Sequence, residues 1–474
     1  MIFREIVMKK IVGLLIIASI VLSVCSCSAP VEVFDMDFNA FSSVGTDLGG
    51  KTVVYATAYS DDTVLGYEIG TEFADLAKEA VNRTEKELNC KLDIVYGGYG
   101  FGEIIASAYA GTFLCDILCG NTNSATEAIR AGVITGIKSL GGIIDYNDSE
   151  KWGNRKHLFA LCYEDDVYGV FPISWPLLTQ SQFGYPLVVN EDIVSQLALP
   201  DPREYVETDA WTWAQFRKCI EDYTVIESGE VKIYGFSTTE SAYVEMFTRS
   251  NGDRMVGRDA NGEFVFGFSS DSAAAAMEEA RDILKGSLSY AVYTALPVPT
   301  VEKFDAGEAG MCCTPYIFGK EDFYISKCLN NYALLIYPTG PNAEPGSACS
   351  VFSGYGNCIT IPVLTHDAEA TATVLDKLYE PLTGFETFEK IKEHMSRYYF
   401  FDERDCDNFY KLYLSWDNLF NNCNIGSKYK EFITYNGSIS SYIESNRESA
   451  AEIFDKYVMP AVRGSEAVWG TFEN

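Results

Sequence analysis

Short apolar segments alternate with helical patterns in the part of the chain that follows residue 50. The segments "KTVVYATA", "KLDIVY" and "CDILCG" have the length and composition of buried strands. Between the first two, apolar residues recur at helical spacing from Glu68 to Leu88, and a helical pattern also precedes and follows the third. This alternation predicts a parallel sheet with helices on both faces.

A second α/β stretch follows, and the end of the chain is mostly helical. The predicted strands are "VYGVFPIS", "PLVVNEDI", "IYGFS", "AGMCCTP", "YALLIYPTGP" and "SGYGNCITIP". The segment "WTWAQFRKCIEDY" predicts one helix, and a second begins at Ser270 or Asp271 and ends at Gly286. After Pro362, "DAEATATVLDKLYEPL", "GFETFEKIKEHM" and "SYIESNRESAAEIFDKYV" predict further helices. The pattern indicates two α/β regions and a helical C-terminal part.

The most apolar run of the chain lies at its N terminus. Ile11–Val24 carries no charge and follows Lys9 and Lys10. The run is shorter than the roughly 20 residues that cross a bilayer and is typical of a signal peptide. It ends in "VCSCSAP", which resembles the bacterial lipobox with the acylated cysteine at Cys27. The alternative is a buried helix that contains cysteines. We expect a lipoprotein signal peptide over 1–26, a lipid on Cys27 and a flexible tether over 27–50.

Length, charge and cysteine usage narrow the class of protein. A chain of 474 residues normally forms two or three domains. Its net charge of −31 argues against nucleic-acid binding and against electrostatic attraction to anionic membranes. The 14 cysteines are scattered, and with only 3 histidines they match no zinc pattern. We therefore expect no metal and no cofactor, and interpret most cysteines as small buried residues.

Two glycine-rich segments resemble nucleotide-binding loops only superficially. "GTDLGGKT" fits the P-loop pattern, but it runs directly into a strand, whereas a P-loop joins a strand to a helix. "GGYGFG" lies between a strand and a helix, yet Glu103 stands where a dinucleotide loop needs its third glycine. We interpret it as a flexible loop.

The sequence offers little support for catalysis. It contains neither a G-x-S-x-G elbow nor an H-E-x-x-H motif. The pairs Asp61/Asp62 and Asp165/Asp166 could supply an acid and a base for glycoside cleavage, but neighbouring side chains usually point apart. "YEDDVYG" is typical of a hairpin turn.

The order of several landmarks resembles that of bacterial extracellular solute-binding proteins of family 1, the carbohydrate-type substrate-binding lipoproteins of ABC importers. The matching segments, which span residues 51 to 385, are "CDILCG", "VYGVFPIS", "PLVVNEDIVSQLALPDP", "WTWAQFRK", "KFDAGEAGMCCTP", "YPTGP" and "SGYGNCITIP". The resemblance implies a two-lobe periplasmic-binding-protein-like α/β fold of type II, with discontinuous lobes joined by a hinge. Lobe 1 would comprise 51–173 plus 353–385, and lobe 2 would comprise 174–352 plus 386–474.

The same resemblance implies that the ligand lies between the lobes, where loops leave the carboxyl ends of strands. Sugars stack their C–H faces on aromatic rings and bind carboxylates and amides through their hydroxyl groups, so such side chains are the candidates. Tyr316 follows "CCTP" at a position where the family has a stacking aromatic residue. Trp175 lies at the first crossover, near Pro172–Leu178, where the chain would pass from lobe 1 to lobe 2. The other candidates are Tyr59, Asp61, Asn121, Glu240, Tyr243, Tyr355 and Trp416.

The expected function is therefore capture without chemistry. The chain would bind a small solute, most readily a carbohydrate, between its lobes and deliver it to permease subunits in the membrane. It would act as a monomer on the outer face of the bacterial cytoplasmic membrane. Two alternatives stay open at this point: a surface lipoprotein glycoside hydrolase, and a non-transporting sensor or adhesion protein on the same fold.

Overall fold

The computed structural model describes residues 47–178, 186–252, 256–258, 261–286, 290–294, 297–314, 317–318, 324–347, 350–351, 356–417, 428–429 and 431–471. They belong to one unit, Gly45–Asn474. Cys27, Tyr316 and Tyr355 lie outside the described residues, as do the signal segment and nearly all of the tether.

Nineteen strands occur in the described part. In chain order they are β1 (Lys51–Thr57), β2 (Thr63–Val64), β3 (Tyr67–Glu68), β4 (Cys90–Tyr96), β5 (Ile117–Asn121), β6 (Cys162–Tyr163), β7 (Asp166–Val167), β8 (Leu187–Asn190), β9 (Val225–Glu227), β10 (Glu230–Ile233), β11 (Phe236–Thr239), β12 (Val256–Arg258), β13 (Phe264–Phe266), β14 (Ala291–Thr294), β15 (Met311–Cys313), β16 (Tyr332–Leu335), β17 (Ser350–Val351), β18 (Asn357–Thr360) and β19 (Trp416–Asp417).

The α-helices of the same ranges are α1 (Glu72–Leu88), α2 (Phe101–Ala110), α3 (Thr122–Arg130), α4 (Ser149–Trp152), α5 (Arg155–Leu158), α6 (Glu191–Gln196), α7 (Arg203–Glu207), α8 (Trp213–Tyr223), α9 (Glu240–Ser250), α10 (Asp271–Lys285), α11 (Pro297–Asp305), α12 (Ala368–Leu378), α13 (Phe388–Tyr398), α14 (Glu403–Ser415), α15 (Ile439–Ile453) and α16 (Met459–Trp469). Short 3-10 turns cover Lys138–Leu140, Phe159–Leu161, Gly267–Ser269, Ile325–Lys327 and Glu431–Thr434.

The first lobe is built on a four-stranded sheet with the order β18-β5-β1-β4. β1 is parallel to β4 and β5, and β18 runs antiparallel to β5. The predicted parallel arrangement of "KTVVYATA", "KLDIVY" and "CDILCG" is therefore confirmed. The central strands are apolar and buried, and α1 and α12 pack against each other beside this sheet.

The second lobe is built on a five-stranded sheet with the order β14-β11-β15-β8-β16. β11 is parallel to β14 and β15, whereas β8 runs antiparallel to β15 and β16. Thr212 caps helix α8, because its hydroxyl accepts the N–H of Gln215, and Trp211 and Trp213 on either side are buried. The two tryptophans of "WTW" thus pack around the start of a helix.

Local sequence signals explain several element ends. Thr71 caps α1 through its hydroxyl, and Asn89 ends the helix in the left-handed conformation. The helix begins at Glu72 rather than at Glu68, because the preceding residues form the short hairpin β2–β3. Ser270 caps α10 as predicted, and "YEDDVYG" forms the predicted turn between β6 and β7.

The last helix, α16, packs on the first lobe, although residues 386–474 were expected to belong to lobe 2. α14 packs on β16 and α15 packs on α10, both in the second lobe, but α16 packs on β6 and β7 of the first lobe. Gly464 makes this approach possible, because a Cβ atom there would lie 2.7 Å from the backbone nitrogen of Tyr163. The sequence pattern of α16 shows its apolar face but not the surface that this face covers.

The ten cysteines in the described ranges are free thiols, and all but Cys328 are buried, in agreement with their interpretation as small core residues. Within these ranges no helix is long and apolar enough to cross a membrane.

Candidate functional site

The carboxyl edge of the first sheet brings Tyr59 next to the loop that follows β4. The backbone N–H of Gly97 donates to the carbonyl groups of Thr57 and Tyr59, at 2.9 and 3.0 Å. The loops after two neighbouring parallel strands are therefore tied together at the edge where ligands bind in open α/β sheets. Tyr59 is half-buried there, and Asp61 is exposed.

Asn121 ends β5 at the same edge and begins α3. Its side-chain oxygen accepts the backbone N–H of Asn123 at 3.0 Å, which caps the helix. Across the antiparallel pair it faces Asn357, the first residue of β18. Thr122 donates both its N–H and its hydroxyl to the carbonyl of Gly356, at 2.9 and 2.7 Å. The edge therefore holds the half-buried Asn121 opposite the buried Asn357, and the backbone at Gly356 is fixed beside them.

The hairpin β2–β3 packs on Tyr59 through a glycine. Gly66 has a φ of +102°, and a Cβ atom there would lie 2.8 Å from Cζ of Tyr59 and 2.7 Å from Cδ1 of Leu178. Only glycine allows both the positive φ and this close approach. The contact sets the position of the Tyr59 ring and links it to the first crossover, which contains Leu178.

Trp175 is held in an aromatic cluster within the first lobe. Its ring stacks on Tyr67 at 6.0 Å and packs at a tilt against Tyr379 at 4.6 Å between centroids, and its Nε1–H donates to the carbonyl of Glu380 at 3.1 Å. The side chain is 0% exposed. Trp175 is a packing residue with no surface open to a ligand, so it does not have the ligand-contacting position expected for it.

The tyrosines of this cluster are also buried hydrogen-bonding groups. The hydroxyl groups of Tyr55 and Tyr379 lie 2.6 Å apart, and that of Tyr67 donates to the carbonyl of Pro176 at 2.6 Å. Burial raises the pKa of all three phenols well above the usual value, so they stay neutral. Sequence reasoning missed Tyr67 and Tyr379, because neither lies in a motif and their partners are distant in the chain.

The second sheet places Glu240 and Tyr243 at its own carboxyl edge. β11 ends at Thr239, and Glu240 begins α9 directly, so both candidates lie in the first turn of that helix. β15 ends at Cys313, and the buried Thr314 follows it. The backbone therefore brings Glu240, Tyr243 and Thr314 to one sheet edge.

Trp416 lies next to the strand that precedes the return of the chain to the first lobe, and it belongs to neither of the two large sheets. β19, which contains it, pairs in parallel with β17, and Ser350 is its register partner. β17 precedes the return of the chain to β18 of the first sheet. The backbone at Trp416 thus lies beside β17, which precedes this return.

The acidic pairs considered for catalysis serve as turn residues. The carboxylate of Asp166 accepts the backbone N–H groups of Lys138, Ser139 and Val167, at 2.6, 3.1 and 2.7 Å. Asp62 accepts the hydroxyl of Ser60 in the loop before β2. Among the described residues no group of three His, Cys, Asp or Glu side chains could hold a metal ion.

Comparisons with solved structures identify the fold of the chain. No protein-family model matches the sequence, and no curated protein matches it. The ABC substrate-binding protein Lmo0181 from Listeria monocytogenes, solved with cycloalternan, matches with a TM-score of 0.55 at 13% identity, over 86% of this chain and 98% of its own. The cyclic α-maltosyl-1,6-maltose binding protein from Arthrobacter globiformis gives a TM-score of 0.60 at 13% identity, over 85% and 99%.

A third structure extends the range of ligands. UgpB from Mycobacterium tuberculosis, solved with glycerophosphocholine, matches with a TM-score of 0.55 at 12% identity, over 87% of this chain and 100% of its own. The first two are named as binding proteins, and the third was solved with a small ligand. The chain therefore has the two-lobe α/β fold of ABC substrate-binding proteins, which confirms the predicted fold class.

Proposed function

We propose that this chain is the substrate-binding component of an ABC importer and that it captures a carbohydrate between its two lobes. The observation that carries this proposal is the fold, which it shares over more than four-fifths of its length with binding proteins solved with cycloalternan and with maltotetraose. The candidate side chains support it, because Tyr59 and Asn121 lie at the carboxyl edge of one sheet and Glu240 and Tyr243 follow a strand of the other.

The mechanism is capture by lobe closure. Aromatic rings would contact the apolar faces of the sugar, and the amides of Asn121 and Asn357 would bind its hydroxyl groups. A bound ligand favours the closed arrangement only by its greater affinity for that arrangement, which it gains from contacts with both edges. The closed form would then dock on permease subunits, and no covalent step is involved.

The N-terminal segment supports attachment to the outer face of the cytoplasmic membrane through Cys27. A diacylated cysteine provides the two chains that stable anchoring needs, whereas one acyl chain binds only marginally. Mass spectrometry of the protein expressed in a bacterial host tests this proposal. The expected N-terminal peptide begins at Cys27 with two acyl chains, and Cys27→Ser leaves the signal segment uncleaved.

The test of the function is thermal unfolding of the chain from Ser28 onward in the presence of sugars, oligosaccharides, glycerophosphodiesters and peptides. A ligand that binds only the folded state stabilises it by about 2.7 kcal/mol at a hundredfold excess over Kd. We expect one sugar class to raise the melting temperature without formation of a product. Release of a product would favour the glycoside hydrolase, and no shift with any compound would favour the sensor or adhesion protein.

A further inference from the structure

The C-terminal helices form one uninterrupted helical run between the two lobes. α15 ends at Ile453, a π-helical turn covers Phe454–Val458, and α16 begins at Met459. The run from Ile439 to Trp469 is about 45 Å long at 1.5 Å per residue. It is therefore long enough to contact both lobes, with one α-helix on each side of the π-helical turn.

Each half of the run is fixed to a different lobe. In the second lobe, Phe454 stacks on Phe266 with 5.1 Å between ring centroids, and α15 packs on α10. In the first lobe, Arg155 donates to the hydroxyl of Ser465 and the carbonyl of Gly470, each at 2.8 Å. A change in the angle between the lobes must therefore bend this run or break one of its attachments.

The π-helical turn is the position at which the run can bend. Pro460 lacks an N–H group, so the carbonyl four residues before it cannot form the usual α-helical hydrogen bond. π-helical turns and proline are the common causes of kinks within helices. The turn also contains both Phe454, which stacks on Phe266 of the second lobe, and Tyr457, which Arg130 of the first lobe contacts.

Arg130 of the first lobe holds this turn. Its Nη2 donates to the carbonyl of Tyr457 at 3.1 Å, and its guanidinium carbon lies 5.1 Å from the centroid of the Tyr457 ring. Arg130 is also the last residue of α3, whose first turn is capped by Asn121 at the candidate ligand edge. One short helix thus extends from the ligand edge to the bend in the C-terminal run.

We infer that Arg130 is a positioning residue for lobe closure: it couples the ligand edge of the first sheet to a bend at Phe454–Val458 in the C-terminal run. Without this contact the lobes sample a wider range of angles. The apparent affinity for a ligand falls with the fraction of molecules that can close on it. The effect on affinity rests on the proposed function, whereas the effect on lobe angles does not.

The chain offers a matched control. Arg281 of α10 makes the same pair of contacts inside the second lobe, because it donates to the carbonyl of Gly437 at 2.8 Å and lies 4.0 Å from the ring centroid of Phe432. Arg130→Met and Arg281→Met remove the same kinds of contact, but only the first removes one between the first lobe and the C-terminal run. Arg130→Lys keeps a charged donor and should restore part of the coupling.

The experiment uses the full chain in detergent, with fluorophores on non-canonical amino acids at the exposed Lys86 and Glu227, one on each lobe. We expect Arg130→Met to widen the distribution of inter-lobe distances without ligand and to weaken binding of the sugar found by the thermal-unfolding screen about tenfold. Arg281→Met should change neither.

A distance distribution for Arg130→Met like that of the wild type overturns the inference. So does a widened distribution with unchanged or tighter sugar binding. If no sugar binds the wild type, the proposed function fails, and the distance distribution alone decides the role of Arg130.

Discussion

The indole Nε1 of Trp175 donates to the carbonyl of Glu380 at 3.1 Å, and this bond ties the first crossover to the residues that follow α12. The two groups are 205 positions apart in the chain. Since Trp175 is buried and also packs against Tyr379, the crossover is anchored in the core of the first lobe. The segment in which the chain leaves the first lobe is therefore held in place at Trp175.

This anchoring predicts a specific cost for Trp175→Phe. The substitution keeps an aromatic ring but leaves the Glu380 carbonyl without its indole donor, so we expect the free energy of unfolding to fall by about 1–3 kcal/mol beyond the packing loss. Trp152→Phe is the control, because Trp152 is equally buried and its Nε1 has no hydrogen-bond partner among the described residues. Urea unfolding of both variants measures the difference. Equal losses would contradict a role for the bond.

The hairpin contact on Tyr59 predicts different effects for two glycine substitutions. Gly66 and Gly70 both have positive φ, +102° and +93°, but only a Cβ at Gly66 would meet Tyr59 and Leu178. Gly70→Ala should cost about 1–3 kcal/mol from its backbone conformation alone. Gly66→Ala should cost more and should also weaken ligand binding, because it displaces the Tyr59 ring. Equal losses of stability, with equal affinities, would show that the contact does not position Tyr59.

His157 predicts a loss of stability on mild acidification. Its Nδ1 accepts the backbone N–H of Asn154, and burial lowers the pKa of the ring to about 3. The unfolded chain therefore binds a proton between about pH 6.5 and pH 3 that the folded chain does not. The free energy of unfolding should fall as the pH falls through this window, by up to about 1.4 kcal/mol per pH unit.

Denaturant unfolding between pH 7 and pH 5 measures this slope, because few carboxyl groups titrate there. His157→Gln should flatten the slope in this range. A slope that His157→Gln leaves unchanged would assign the pH dependence to other groups.

Sequence reasoning predicted the elements with strong patterns. β1 and β5 lie within "KTVVYATA" and "CDILCG", because apolar runs bounded by loops leave few alternatives. The hairpin β2–β3 was not predicted, since its strands have only 2 residues each and no periodicity. Its presence moves the start of α1 to Glu72.

The candidate site was predicted less well, for a physical reason. Asn121 and Tyr59 follow strands whose parallel arrangement the sequence shows, so their common edge could be predicted. The burial of Trp175 depends on Tyr67 and Tyr379, and the contact of Arg130 with Tyr457 spans 327 positions. Such contacts are set by how whole elements pack, and no local pattern carries that information.

The position of Tyr59 allows a prediction of how much one aromatic ring contributes to the affinity for a sugar. The ring is half-buried at the ligand edge, where it can cover the apolar face of a sugar. We expect Tyr59→Ala to weaken binding of the sugar found by thermal unfolding about tenfold or more, measured by calorimetry. Tyr109→Ala is the matched control, because Tyr109 lies on α2 with 65% of its surface exposed and away from the strand ends. If the two variants bind with the same affinity, the ligand does not contact Tyr59, and the aromatic contact must come from the second lobe.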